Sequence, residues 1–287
     1  MDLSELKALW KEHDFRPIKR FGQNFLIDRN VRDNILKRVT IDANDVVVEI
    51  GPGFGVMSFD IADMCKKLYA VEKDKKICAI MKPLFRAKKN ISLISKDILE
   101  IDLAGFREIS EKIIVYGNIP YNITTPIIQN IIDNRACVKR AVLVMQDEYA
   151  GRLTAHPGSK DYGSISCYVQ FYTRVKKFFR IGKNSFYPTP KVDSRLLSME
   201  ILPEPSIKVR DEHLMFRIIR QAFSQRRKKV LNPLSHDMFL DIARVGWGGV
   251  FEASGVDPAL RAEDLPLTDY AKISDVISAG GVTGGGE

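Results

Sequence analysis

Through the first half of the chain, short apolar runs alternate with amphipathic stretches, and glycines or acids stand at the joins. Val46-Val47-Val48-Glu49-Ile50 is β-branched and predicts a buried strand. Gly51 to Gly55 predicts a turn, and Val56 to Lys66 a helix. The rhythm then repeats. Leu68 to Glu72 predicts a second strand and Lys75 to Ala87 its helix, distorted at Pro83. Ile91 to Ser95, Ile113 to Tyr116 and Ala141 to Met145 predict three more strands. Helices are expected over Thr124 to Asn134 and Asp147 to Ala155. Such alternation implies an α/β fold, a parallel sheet covered on both faces.

Before this pattern, residues 2–13 read as a short helix, and the region around Pro17 as an extended basic arm. Gly22 to Asp28 leads into a helix ending near Val39, with Asp28 as its N-cap. After it the rhythm changes. Ser164 to Tyr172 and Arg195 to Ile201 read as two strands with no helix between them, an antiparallel edge hairpin around a rigid loop, Phe186 to Lys191. Leu202 to Ser206 is the linker candidate, and the chain is helical from Asp211 to Ser278. The expected organisation is a mainly parallel α/β domain over 1–203, a small α-helical domain over 204–279, and a flexible glycine-rich tail over 280–287.

Composition narrows the class. With 287 residues, 45% of them hydrophobic and 28% charged, the chain has the profile of a globular protein. No apolar run approaches the roughly 18 residues of a membrane span. Met1 to Trp10 carries acids and has no apolar core, so it is no secretory signal. The four cysteines are scattered, with no metal-ligand spacing, which points to reduced thiols, a cytoplasmic location and no metal. A net charge of +8, concentrated in Arg16 to Arg20, Arg174 to Lys183 and Gln225 to Lys229, points to a polyanionic partner.

The strand ends carry the candidate chemistry, because ligands of open parallel sheets bind beyond the carboxyl ends of the strands. Glu49 to Gly55 has the form ExGxGxG, and glycines such as Gly51 and Gly53 let backbone approach a ligand closely. A dinucleotide fingerprint fails here. Val56 stands where the third glycine belongs, and Pro52 lacks the N–H that would face a pyrophosphate. S-adenosylmethionine fits better. Glu72, 21 residues after Gly51, suits both ribose hydroxyls of an adenosine cofactor, and Asp97 suits the adenine amine, with Ile98 on the ring.

Asn118-Ile119-Pro120-Tyr121 follows the fourth strand. The side-chain oxygen of Asn118 and the carbonyl of Ile119 can hold both N–H groups of an exocyclic adenine amine and expose its lone pair to a methyl sulfonium. Tyr121 would stack on the base, with Phe186 and Tyr187 on its other side. Such a base must be flipped or unpaired to enter. Arg20, Arg226, Arg227 and Lys228 are the candidate RNA contacts.

Together these motifs resemble the small-subunit ribosomal RNA adenine dimethyltransferases of the bacterial type. The residues that carry the resemblance are Gly22 to Asp28, Glu49 to Gly55, Lys96 to Leu99, Asn118 to Ile123, Phe186 to Ser194, Ala222 to Lys228 and Gly255 to Glu263. The resemblance implies a Rossmann-like class I methyltransferase with a helical C-terminal domain. It implies cofactor contacts from Asn24 and Leu26, beside Gly51, Glu72, Asp97 and Asn118. The implied reaction is N6,N6-dimethylation of two adjacent adenosines in a hairpin loop near the 3′ end of small-subunit rRNA, by a monomer acting on a pre-30S particle. At Ile119 most members carry leucine, and the isoleucine form looks like the macrolide-resistance methylases of large-subunit rRNA. Those enzymes, a non-catalytic assembly factor and a nicotinamide oxidoreductase are the rival readings.

Overall fold

The computed structural model describes residues 3–108, 110–235 and 246–279. The expected tail over 280–287 lies outside the described residues. The strands are β1 (Phe25–Leu26), β2 (Val46–Ile50), β3 (Lys67–Glu72), β4 (Ile91–Ser95), β5 (Ile113–Asn118), β6 (Val138–Gln146), β7 (Thr173–Ile181), β8 (Phe186–Tyr187) and β9 (Ser194–Ile201). Seven form one sheet in the order β4-β3-β2-β5-β6-β9-β7. From β4 to β6 every pairing is parallel, and β9 lies antiparallel to β6. The short β1 and β8 pair with each other, Leu26 opposite Phe186.

Two compact units divide the chain, Met1–Ala150 with Lys176–Ile201, and Gly151–Val175 with Leu202–Glu287. Residues 151–175, expected in the first domain, therefore fold with the second unit.

The first unit holds most of the sheet. Every residue of β2 is buried, as covered parallel strands require. Its early helices are α1 (Leu3–Glu12), α2 (Arg29–Val39), α3 (Ser58–Met64), α4 (Lys75–Arg86) and α5 (Thr124–Asp133). Asp28 caps α2, its Oδ1 accepting from the N–H of Asn30 and Val31 at 3.0 and 3.1 Å. Helix α4 runs through Pro83. Helix α5 buries Ile127, Ile128, Ile131 and Ile132, the spacing that puts one helical stripe into a core. Among the described residues no helix is long and apolar enough to cross a membrane.

Next come α6 (Asp147–Leu153), within which the chain passes from the first unit to the second, and α7 (Ser164–Tyr172). The strand expected over 164–172 is thus a helix, and the hairpin strand is the following β7. Helix α7 is aromatic, and its bulk is used in the second unit. Phe171 and Tyr172 pack on Phe216 with ring centroids 5.2 and 5.8 Å apart, and the Tyr172 hydroxyl donates to Glu212 at 2.6 Å. Phe216 belongs to α8 (Glu212–Ala222), which is followed by α9 (Leu231–Ser235), α10 (Gly246–Ser254) and α11 (Leu267–Ser278).

Arg226 is a structural anchor in this unit. Its Nε donates to Glu263 at 2.8 Å, and its Nη2 donates to the carbonyls of Tyr162, at 2.8 Å, and Lys160. Arg226, expected at RNA phosphates, thus has three of its five donors engaged within this unit. Arg227 and Lys228 are exposed. Arg226→Ala should lower stability by about 1.5–3 kcal/mol, the range for hydrogen bonds to a charged group, while Arg227→Ala leaves it unchanged. Urea unfolding followed by circular dichroism checks both.

Candidate active site

A pocket opens at the carboxyl ends of β4, β3, β2 and β5, which are neighbours in the sheet. Each strand sends one expected residue or turn to its wall: Asp97 after β4, Glu72 at the end of β3, Gly51 and Gly53 after β2, and Asn118 at the end of β5. Asn24, Leu26 and Arg20 line it from the N-terminal segment.

The glycine turn is built for close approach. Gly51 has φ +65, and a Cβ placed there would meet nothing within 4 Å, so its bare face looks onto open space. Gly53 has φ +54, and a Cβ there would lie 2.9 Å from the Phe25 ring. Its glycine is demanded by the protein's own packing as well as by any ligand. The Gly53 N–H donates to Glu72 Oε2 at 3.2 Å, and the Asp74 N–H to Glu72 Oε1 at 2.8 Å. A carboxylate offers about four lone-pair sites, so two remain.

Asp97 has two partners within the protein. Its Oδ2 accepts from the Lys73 ammonium at 2.5 Å, and its Oδ1 accepts from the Leu99 N–H at 3.1 Å, capping a short 3-10 turn. Burial alone would raise this carboxyl. The Lys73 and Leu99 hydrogen bonds, with the lysine's charge, hold it below its ordinary value. It stands ionised as an acceptor.

Asn118 Nδ2 donates to the backbone carbonyl of Asn24 at 2.9 Å. A carbonyl can only accept, so the amide's orientation is set and Oδ1 remains as its acceptor. The Gly22-Gln23-Asn24-Phe25 segment is thereby locked onto the turn after β5. Gly22 sits where a Cβ would press on Pro120 at 3.2 Å. Gln23 accepts from the Ile18 N–H at 2.7 Å and donates to Asp74 at 2.8 Å, tying the basic arm to the β3–α4 turn. Sequence reasoning missed this role for Gln23. A glutamine beside a basic arm is an ordinary solvated residue until its partner, 51 positions away, is seen.

Tyr121 is half-buried beside the pocket, its hydroxyl 2.7 Å from Ser194 Oγ at the start of β9. Burial raises its phenol, against a lowering hydrogen bond from Ser194 and with a further rise from Asp193, so it stays protonated at neutral pH. The Ile119 side chain is buried and packs on Gly117, away from the pocket wall.

The family described as "Ribosomal RNA adenine dimethylase" matches residues 14–278. The chain belongs to that family. Among curated relatives, "Ribosomal RNA small subunit methyltransferase A" of Clostridium botulinum (strain Loch Maree) is 35% identical over 271 residues, covering 94% of this chain and 98% of that one. The protein of the same name from Macrococcus caseolyticus is 39% identical over 277 residues, covering 94% and 93%. A dimethyladenosine transferase from Plasmodium falciparum shares the fold, at 22% identity over 90% of this chain and 98% of that one, with a TM-score of 0.72. So does the 23S rRNA methyltransferase ErmE, at 20% identity over 89% and 100%, with a TM-score of 0.67. This member of the dimethylase family is an rRNA methyltransferase, and the expected class I methyltransferase fold is present.

In this dimethylase one expected site residue is placed elsewhere. Phe186 is 2% exposed and belongs to the core. Paired through β8 to Leu26, it supports the pocket floor and has no free face for a base. The other residue missed by sequence reasoning is Glu49. It lines the pocket, is 2% exposed, and its Oε2 has no hydrogen-bond partner. Burial pushes its carboxyl up to about 7, with the Ser58 hydroxyl lowering it and Glu72 raising it. Ser58 Oγ is itself without a partner at hydrogen-bond distance, so burial dominates. Glu72, also buried, is pushed up to about 6. A carboxyl that releases its proton near 4.5 when unfolded but near 7 when folded loses folded-state stability as pH rises between those values. Glu49→Gln should therefore gain on the wild type across that window, by up to about 3 kcal/mol above pH 7. Melting temperatures of both proteins from pH 4.5 to 8 measure the difference.

Proposed function

We propose that this protein uses S-adenosylmethionine to dimethylate N6 of two adjacent adenosines in a hairpin loop near the 3′ end of small-subunit rRNA. It acts in the cytoplasm as a monomer, on a pre-30S particle late in assembly. The curated relatives named for the small subunit support the substrate. The observation that carries the chemistry is the locked amide of Asn118, whose free oxygen stands at the end of β5 beside the cofactor pocket.

The pocket suits a cationic adenosine cofactor. Two buried carboxylates, Glu49 and Glu72, stand in its wall, and Glu49 has an oxygen without a partner. The nearby cation Lys73 is held by Asp97. A positive charge that balances them comes best from the ligand. Gly51 provides the bare backbone, Glu72 has lone pairs for ribose hydroxyls, and Asp97 accepts from the adenine amine. When bound, S-adenosylmethionine would supply an electrophilic methyl, the S–CH3 bond breaking and the sulfonium leaving as a neutral thioether. Asn118 Oδ1 and the Ile119 carbonyl accept the two N–H groups of the target amine, which turns its lone pair toward that methyl. The amine proton becomes acidic as the N–C bond forms and leaves to solvent, so no strong base is needed. Tyr121 stacks on the flipped base. Catalysis then comes from positioning and electrostatics.

Because the side chain of Ile119 is buried, its difference from leucine does not touch the target, and only its carbonyl takes part. Labelled cofactor incubated with 30S and 50S precursors should mark small-subunit RNA alone, and Asn118→Ala should lower the rate about 10²-fold or more. Label confined to large-subunit RNA ends the small-subunit reading, and equal rates for Asn118→Ala and wild type end the role of Asn118.

The Tyr121–Ser194 pair has its own signature. Tyr121→Phe and Ser194→Ala should each lower kcat/KM for RNA up to about tenfold, because each removes the same hydrogen bond. The double variant should be no worse than either single one, and cofactor affinity should not change. Additive losses in that cycle argue against the pairing.

A further inference from the structure

Of the three basic clusters in the sequence, Arg174 to Lys183 takes no part in the site described above. It forms β7, an edge strand of the sheet. Lys176 and Lys177 are exposed there, and Phe178 and Phe179 are half-buried. Beside it is the C-terminal end of α2. Lys37, Arg38 and Thr40 from that end line a groove together with Lys176, Phe178 and Phe179. All six residues belong to the first unit.

The groove concentrates positive charge. The Arg38 guanidinium lies 5.9 Å, and the Lys176 ammonium 5.4 Å, from the centroid of one ring, Phe178. The ring's negative face attracts each cation, yet the two repel each other. Among the described residues no carboxylate pairs with Lys37, Arg38 or Lys176. Thr40 ends α2 with φ +48 and ψ +68, a left-handed conformation rare for a β-branched residue. Strained backbone of this kind gathers where a surface has a task beyond folding.

Its place is also defined. Helix α2 starts just after the pocket-lining Leu26, and the ten steps from Asp28 to Arg38 rise about 15 Å. The five steps from Lys176 to Ile181, at the end of β7, span about 17 Å. Along the direction of the strands, both elements set the groove a similar distance back from the level of the strand ends.

We infer that this groove is a second RNA contact, taking the phosphate backbone of the rRNA at a distance from the methylated base. Three cations lining one groove, none with a carboxylate partner among the described residues, on a chain of net charge +8, complement a phosphodiester backbone. The inference rests on the rRNA-methylating function of the protein. It does not depend on which adenosines are methylated.

The test is the salt dependence of binding to small-subunit rRNA. For the full-length triple variant Lys37→Ala/Arg38→Ala/Lys176→Ala, the slope of log affinity against log salt should fall by about 2–3, and affinity at physiological salt roughly tenfold. Cofactor affinity should stay unchanged. A control triple, Lys66→Ala/Lys82→Ala/Lys89→Ala, removes the same charge from other exposed positions and should leave the slope near the wild type. Equal slopes for wild type and groove variant, or an equal fall in the control, overturn the inference. If the triple variant aggregates because the edge lysines guard the strand, Arg38→Gln alone is read, with an expected fall in slope of about 1; an unchanged slope there overturns the inference as well. Methylation of pre-30S particles by the wild type is scored separately, so failure of the small-subunit reading is distinguishable from failure of the groove.

Discussion

The hydrogen bond from Asn118 Nδ2 to the Asn24 carbonyl joins two motifs 94 residues apart, and the chemistry of the site depends on it. An asparagine amide free to turn would offer donor and acceptor with equal ease. Here the donor is used inside the protein, so the acceptor is what the amide has left to offer a ligand. Gly22 packs against Pro120, Phe25 against Gly53, and Gln23 holds the basic arm to Asp74. The N-terminal segment thus works as a template laid across the strand ends. Substitution there would disturb Asn118 and the glycine turn, which line the pocket.

Electrostatics complete the picture. Glu49 and Glu72 are desolvated on adjacent strands, and among the described residues neither forms an ion pair with a protein cation. Burying charge in this way costs stability unless something compensates. Burial raises both carboxyls, so partial protonation offsets part of that cost; the cationic cofactor proposed above would offset the rest. The pocket is a place where buried carboxyls cost folding stability.

Much of this was legible in the sequence, and the reasons are local. Strands β2 to β5 are short β-branched runs closed by glycine or an acid, so Gly51, Glu72, Asp97 and Asn118 could be assigned to strand ends and hence to one rim. What stayed hidden was non-local or ambiguous. Ser164 to Tyr172 is rich in β-branched and aromatic residues and reads as a strand. It folds as a helix because its aromatic rings pack on Phe216, a tertiary contact that overrides propensity. Arg226 looked like its neighbours Arg227 and Lys228, and only the fold brings Glu263 and the carbonyls of Lys160 and Tyr162 to it. Phe186 is separated from Tyr187 by the alternation of a two-residue strand. No composition rule says which of the two faces the core.

The antiparallel β9 has a topological consequence for the rim. In a wholly parallel sheet each strand arrives at the ligand side with its last residue and leaves by a loop. Strand β9 runs the other way beside β6, with Ser194 opposite Gln146. It therefore delivers its first residue to the ligand side, and the chain enters the rim from outside. That reversal is what lets Ser194 meet the Tyr121 hydroxyl. Two turns of opposite chain direction close on one another there, and the wall they make is braced from both sides where a purely parallel sheet would end in an open edge.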